Sequence, residues 1–563
     1  MTARLSLASR SLPFLAATLV ATSASAQATA PVADAPPVAA PSAPPAASEL
    51  VVLPAPPPPA PPQPAKSSLV EFTSLRLMRE KGLITKAEYD SAVADIADST
   101  GFRAPDSTSL AVGRWSTTIY GFAEMDLIND STESFNDTAG GGQVARPGGV
   151  AGLPAVDQNT YAGNHGRTQM SIRNSRLGLQ MRAPEAHGIR VSGMVETDFE
   201  GYLPSPSPTS GATTATTGPS QSQFFSSPTL RLRHAMFKIE TPIVDLLVGQ
   251  YWDLFGWQNV YHPNSVQPQG LPGELYSRDA QIRLSRAFKT RPIQIEIAAA
   301  MRRPPSEDSQ YPEGQAGVRL AFPWWTGVTT TGATNTGVMP ASIALTGDIR
   351  QFTVPEFSQT PTRSVSLTTQ AVAIDAFIPV IPQSSVSSGN ALSLTGEFVT
   401  GAGISDLYTG LNMGLTFPTL VNTSSTASVA GGYPQDVDNG MVVYDTTGNL
   451  HAIQLTTFVV GAQYYLPAVS GKVWVSGNFA RTQSNNIAQF TRNAATDLIN
   501  PTINQFASSS TVRQAENFFD VNLFWDIVSG ARAGFEYANF NDQYADGVHA
   551  INNRLLLSGF FIF

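Results

Sequence analysis

From about residue 114 onward, apolar and polar side chains alternate along the chain. Trp115, Ile119, Met125 and Leu127 share one parity, and Ser116, Thr118, Glu124 and Asp126 share the other. Ile293, Ile295, Ile297 and Met301 interleave with Gln294 and Glu296, and Val473, Val475 and Phe479 with Lys472, Ser476 and Asn478. Phe519, Val521, Leu523 and Trp525 do the same with Asp520, Asn522 and Asp526. Successive side chains of a strand point to opposite faces, so this rhythm predicts strands with one apolar and one polar face. It places them near 114–129, 169–183, 189–202, 229–241, 244–255, 280–289, 292–302, 314–323, 341–353, 364–379, 391–402, 451–466, 471–483, 516–528, 531–541 and 549–563. The connections alternate between tight (184–188, 241–243, 289–291, 467–471, 528–530) and long (130–168, 203–228, 256–279, 403–450, 484–515). Two further turns, 324–340 and 380–390, are longer than a tight hairpin needs.

A soluble sandwich also alternates, but it seldom needs so many strands of ten residues or more. A membrane-spanning barrel does. Each strand crosses with ~9–11 residues, and closure satisfies every backbone donor without leaving an edge. The expected fold is all-β, a transmembrane antiparallel β-barrel of about 16 strands over residues 112–563. At that size side chains do not fill the interior, which leaves an aqueous channel.

The rest of the chain supports a secreted barrel. Arg4 and Arg10, the apolar stretch 12–21 and Ala24-Ser25-Ala26 make residues 1–26 a secretory signal peptide. Residues 27–68 form a Pro/Ala tract, including Pro54-Ala55-Pro56-Pro57-Pro58-Pro59, that cannot pack a core and reads as an extended tether. In the periplasm such a tether would lie within reach of peptidoglycan. In residues 69–98, Leu69, Phe72, Leu75 and Met78, then Tyr89, Val93 and Ile96, fall at helical spacing around Gly82 and a Thr85-Lys86-Ala87-Glu88 capping box. The expectation there is a helical hairpin or coiled-coil-like segment. The last strand closes on Phe560-Phe561-Ile562-Phe563, which resembles the signal read by the outer-membrane barrel assembly machinery. The expected location is the outer membrane of a Gram-negative bacterium.

Composition removes several alternatives. Only 14% of residues are charged, low for a soluble enzyme, and the net charge of −9 argues against a nucleic-acid partner. There is no cysteine, and the six histidines form no H-x-x-x-H pair, so no metal site or cofactor is expected. No phosphate-binding or dinucleotide fingerprint presents itself, and the expectation is that the protein is not an enzyme.

Three short motifs add a resemblance. Ser175-Arg176-Leu177-Gly178-Leu179, Leu230-Arg231-Leu232-Arg233-His234-Ala235 and Gly249-Gln250-Tyr251-Trp252, in that order, resemble the DcaP-like trimeric porins over roughly Ile119 to Leu284. The resemblance implies a homotrimeric outer-membrane channel that passes small anions such as dicarboxylates. The chain departs from that family in carrying the Pro/Ala tether and a short helical hairpin where the family has a coiled coil.

A pore's selectivity is set by the charges lining its narrowest section. Arg176 and Arg182 share the inner parity of the second strand; Arg283 lies opposite Ile282 and Leu284, and Arg319 opposite Val318 and Leu320. Arg231 and Arg233 lie opposite Leu230 and Leu232, yet Ala235, Phe237 and Ile239 share their parity. Either a bulge near His234 resets the register, or these arginines sit above the hydrocarbon band. Guanidiniums grip carboxylates in two-pronged fashion, so the set suits anions; alternatively it pairs with Glu196, Asp198, Glu296 or Asp348 and stiffens the wall. The long connection 256–279 carries Trp257 and Tyr261 among prolines and glycines, and its acidic Glu274 and Asp279 are placed to oppose the arginines. It is either a constriction folded into the pore or a surface loop. The function expected is passive diffusion of small hydrophilic, anion-favoured solutes; a structural or adhesive barrel tethered to the cell wall is the alternative.

Overall fold

The computed structural model describes residues 109–134, 161–201, 228–409, 437–492 and 507–563, apart from a few positions within these spans and a few outside them. The signal peptide, the Pro/Ala tract and nearly all of the helical segment expected at 69–98 lie outside the described residues; of the last, Met78 and Arg79 are helical.

The described chain is a closed antiparallel barrel of 16 staves. In chain order they are β1 (Trp115–Asp130), β2 in two pieces (Arg167–Ser171 and Arg176–Arg182), β3 (Arg190–Asp198), β4 (Arg231–Glu240), β5 (Asp245–Trp252), β6 (Arg278–Lys289), β7 (Gln294–Arg302) and β8 (Glu313–Thr329). They continue as β9 (Gly337–Pro355), β10 (Ser364–Ile381), β11 (Ala391–Ala402), β12 (Gln454–Tyr465), β13 (Val473–Ser484), β14 (Arg513–Val528), β15 (Ala531–Tyr544) and β16 (His549–Ile562). Each pairs with its sequence neighbour, and β1 closes on β16 from Phe122↔Ile562 to Asp130↔Arg554. Gly121 makes the seam possible: it exchanges two 3.0 Å backbone bonds with Phe563, and a Cβ there would stand 2.2 Å from the Arg176 carbonyl oxygen. Below that point a lead strand, Ser109–Val112, pairs with Trp115–Thr118 and continues the edge that β16 leaves.

Period-two alternation decides which side faces out. β16 alternates exposed and buried along almost its whole length, and so do β10 and β13. The outward positions form an apolar belt: Ile297 is 52% exposed, Val521 57% and Leu557 53%. Side chains that would be core in a soluble protein face outward in a ring, a surface suited to lipid. The turns expected at 324–340 and 380–390 are shorter than the sequence suggested. β8 continues through Trp324 and Trp325 by way of a bulge between Phe322 and Thr326, and β10 through a second bulge near Pro379. β2 is interrupted at residues 172–175, where the sequence suggested continuity.

Candidate pore constriction

β5 ends at Trp252, and the following 25 positions do not return to the surface. A short 3-10 turn, Phe255–Trp257, starts the loop, and almost every residue from Asp253 to Ser277 is buried. The loop is pinned to walls on both sides of the lumen. The Gln315 side chain accepts from the backbone amides of Leu254 and Phe255 at 3.0 and 3.1 Å, and Thr346 Oγ1 accepts from Gly256 at 2.9 Å. Tyr261 donates to Ser342 at 2.9 Å. Across the barrel, the Trp474 indole donates to Asn264 at 2.9 Å, and Val266 donates to Asn522 and Glu536. Its apolar residues complete four packed clusters, one of them Leu254, Trp257 and Tyr261 against Ala298, Ala300, Ala344 and Phe377. Burial of Tyr261 pushes its hydroxyl pKa up to about 12. Small inward residues on β7 and β9 make the room.

A second connection also turns inward. Residues 403–409 lie against the first loop through a Leu275↔Tyr408 bridge and a 2.9 Å bond from the Tyr276 amide to the Leu407 carbonyl. Arg350 holds Asp406 at 2.7 Å, while Arg302 joins Asp253, Glu313 and Asp279. Together with Val443, Ile487, Phe490 and Val512, these segments pack the lumen along β10–β14. The inward side chains of β3, β4, β7 and β8 are less covered: Met194, Met236, Lys238, Glu296 and Arg319 are only half-buried.

At the edge of the loop the arginines converge. The register of β3 with β4 shifts between Glu196↔His234 and Thr197↔Leu232, so Arg233 is the bulged residue. The bulge turns Arg231, Arg233 and His234 inward and leaves Leu230, Leu232 and Phe237 exposed, which settles the parity conflict in the sequence. Arg233 is fully buried and donates to Glu196 at 2.7 Å, Asp198 and Gln269 at 3.0 Å and Tyr276 at 3.2 Å. Arg231 grips Asp198 at 2.6 and 3.0 Å, and Arg176 stands 3.6 Å from Glu196. Burial alone would raise the Tyr276 hydroxyl, but Arg233, Arg176 and Arg278 outweigh it and pull its pKa down, a sign of a cation-rich field. A cavity of about 170 Å³ lies beside this cluster, lined by Arg176, Trp252, His262, Gln267, Glu274 and Tyr276 among others.

The other sequence candidates lie apart. Arg319 pairs with Glu296 at 2.8 Å, 6.0 Å from the Trp257 ring. Arg283 is buried, donating to Gln281 at 3.0 Å and to the Trp252 carbonyl. Arg182 is exposed at the end of β2. Glu274 accepts from the Leu271 amide at 2.7 Å and sits 2.6 Å from His262 Nδ1. Asp279 does not oppose the expected arginines: it pairs with Arg302 and Arg303, because it is the second residue of β6, beside the end of β7. Of the acids named as possible wall partners, Glu196, Asp198 and Glu296 hold these arginines, while Asp348 lies 3.5 Å from Arg350. The sequence reading did not single out Tyr276, inside the loop, or Trp252 and Arg278, which flank it, as site residues; inner-parity alanines on β7 and β9 were the available signal that something bulky fills the lumen. Among the described residues no group of three or more His, Cys, Asp or Glu is placed to hold a metal.

A closed 16-stave antiparallel barrel with an apolar outer belt, a polar interior and an infolded third long connection has the architecture of a membrane-spanning β-barrel. Among solved structures the chain is similar to the outer membrane channel DcaP of Acinetobacter baumannii, with 15% identity over 82% of this chain and 99% of that one, at a TM-score of 0.49. It is also similar to an anion-selective porin from Comamonas acidovorans (10% identity, 80% and 100% covered, TM-score 0.40) and to OmpF of Salmonella typhi (7%, 81% and 100%, TM-score 0.41). No protein-family model and no curated protein matches the sequence.

Proposed function

We propose that the chain is a diffusion channel for small hydrophilic solutes that favours anions, small carboxylates among them. The observation that carries this reading is the constriction cluster, where four guanidiniums (Arg176, Arg231, Arg233, Arg278) face two carboxylates (Glu196, Asp198). A fixed excess of positive charge beside a narrow opening raises the local anion concentration. The motifs shared with trimeric porins make a homotrimer part of the same proposal, with Phe563 as the handle for barrel assembly and the tether reaching toward peptidoglycan. In planar bilayers the purified protein should give stepwise current and, in a salt gradient, a reversal potential of anion-selective sign. Stepwise current without anion preference leaves a general diffusion pore. No current at all favours the adhesive or structural reading, for which the packing of the lumen along β10–β14 speaks.

A further inference from the structure

Most lumenal arginines named above are already neutralised. Arg231 and Arg233 share Asp198 and Glu196, Arg319 has Glu296, and Arg302 and Arg350 sit among acids. A guanidinium clamped between carboxylates offers a passing anion little net charge. Arg278 is different. It opens β6 directly opposite Trp252, and its guanidinium lies 4.7 Å from the Trp252 ring centre and 5.0 Å from that of Tyr276. Among the described residues it forms no ion pair, and its Nη1 is buried without a hydrogen-bond partner.

An unpaired, partly desolvated cation beside other cations is costly. Two aromatic faces offset part of that cost, since each attracts a guanidinium by about 0.5–2 kcal/mol. Aromatic faces do so without cancelling the positive charge, as a carboxylate would. Trp252 and Tyr276 also line the constriction cavity, so the aromatic pair lies between the guanidinium and the open space. Arg283, five residues down the same strand, likewise lacks a carboxylate partner among the described residues, but two of its donors are engaged by Gln281 and the Trp252 carbonyl.

We infer that Arg278, held by Trp252 and Tyr276 rather than by a carboxylate, is the residue that sets the anion preference of this channel. The inference rests on the anion-channel reading above and names the side chain that carries it. Across a ring an ion meets this charge at about 8 Å, where in water-like dielectric it attracts an anion and repels a cation by about 0.5 kcal/mol each, roughly a fivefold preference between them, screened over about 10 Å at 0.1 M salt.

The test uses the full-length protein in planar bilayers with a dilute potassium chloride gradient. Arg278→Met keeps the packing against both rings and strands no carboxylate, so the barrel assembles with its heat-modifiable mobility intact. The anion-to-cation permeability ratio should then fall about fivefold. Arg278→Lys, which keeps the charge, should retain most of the preference, whereas a residue that merely packs the wall would give the same ratio in both variants. An anion-selective wild type with an unchanged ratio in Arg278→Met overturns the inference and leaves the channel reading standing. A wild type without anion preference overturns both. If Arg278→Met does not assemble, an assembled Arg278→Lys with preference intact supports the role of the charge, and one that has lost it overturns that role.

Discussion

Arg233 offers the sharpest test of how the constriction is held. Arg233→Met removes a fully buried guanidinium and its four hydrogen-bonded partners, Glu196, Asp198, Gln269 and Tyr276. Breaking a buried ion pair from one side costs about 3–5 kcal/mol, because the remaining charge is left desolvated and unpaired. The cost here falls near the lower end, about 3 kcal/mol, because Asp198 keeps Arg231 at 2.6 Å and Glu196 keeps Arg176 at 3.6 Å and the Tyr120 hydroxyl at 2.9 Å. Urea unfolding of the barrel in detergent or lipid measures it.

The same substitution must also move selectivity, for a reason unlike that at Arg278. It uncovers carboxylates, so the reversal potential shifts toward cations, and adding Glu196→Gln should reverse much of both effects. Non-additivity is the signature, since residues of one network couple by about 0.5–3 kcal/mol. If Arg233→Met costs under about 1 kcal/mol and Glu196→Gln simply adds its own penalty, Arg233 is not the clamp described.

Three further outcomes are expected. Gly256 sits at φ +77°, where a Cβ would stand 2.5 Å from Leu275 Cδ1, so Gly256→Ala should cost about 1–2 kcal/mol and alter single-channel conductance; unchanged current and stability would place the loop elsewhere. The chain has no cysteine, so single-cysteine labelling is clean: Met194→Cys and Met236→Cys should react with charged thiol reagents in the folded barrel, while Thr457→Cys and Ser476→Cys should be protected, and equal rates would refute the lighter cover of the lumenal side chains of β3 and β4. Burial, only partly offset by Arg302, pushes Asp253 up to about 6; its folded value exceeds the unfolded one of about 3.9, so its stabilisation is full below about pH 4 and is lost as pH rises through about 6. Asp253→Asn should therefore flatten urea stability over that window, by at most about 3 kcal/mol, and an identical pH profile would count against the buried setting.

The barrel was legible because a period-two pattern records which side of a strand meets lipid. The strand near 391–402 was bounded as found, and the alternation of Val473 to Phe479 maps onto the outer face of β13. Bulges were the weak point, since one extra residue flips parity without any change in composition. Arg233 showed itself only as a conflict between Leu232 and Phe237, and Trp324 with Trp325 hid the lower end of β8 by breaking the alternation. The infolded loop was visible as an aromatic, proline-stiffened stretch, but its partners were not. Gln315, Thr346 and Trp474 are far apart in sequence, and no local rule brings them to the loop.

Counting arginines along the inner parity therefore misjudges the field of the pore. Of the six named from sequence, Arg176, Arg231, Arg233 and Arg319 have carboxylate partners within 4 Å, and Arg182 is exposed at the end of its strand. The charge left for a solute is a difference between two larger numbers, and the acids that decide it lie on β3 and β7 rather than beside the arginines in sequence. One guanidinium without a carboxylate, set behind the rings that line the cavity, can outweigh several paired ones along the wall, because a bound carboxylate cancels much of the field at the distance at which an ion passes. Selectivity in such a barrel is set less by how many cations face inward than by which of them lacks a carboxylate, and here the aromatic pair Trp252 and Tyr276 fixes the place of that cation.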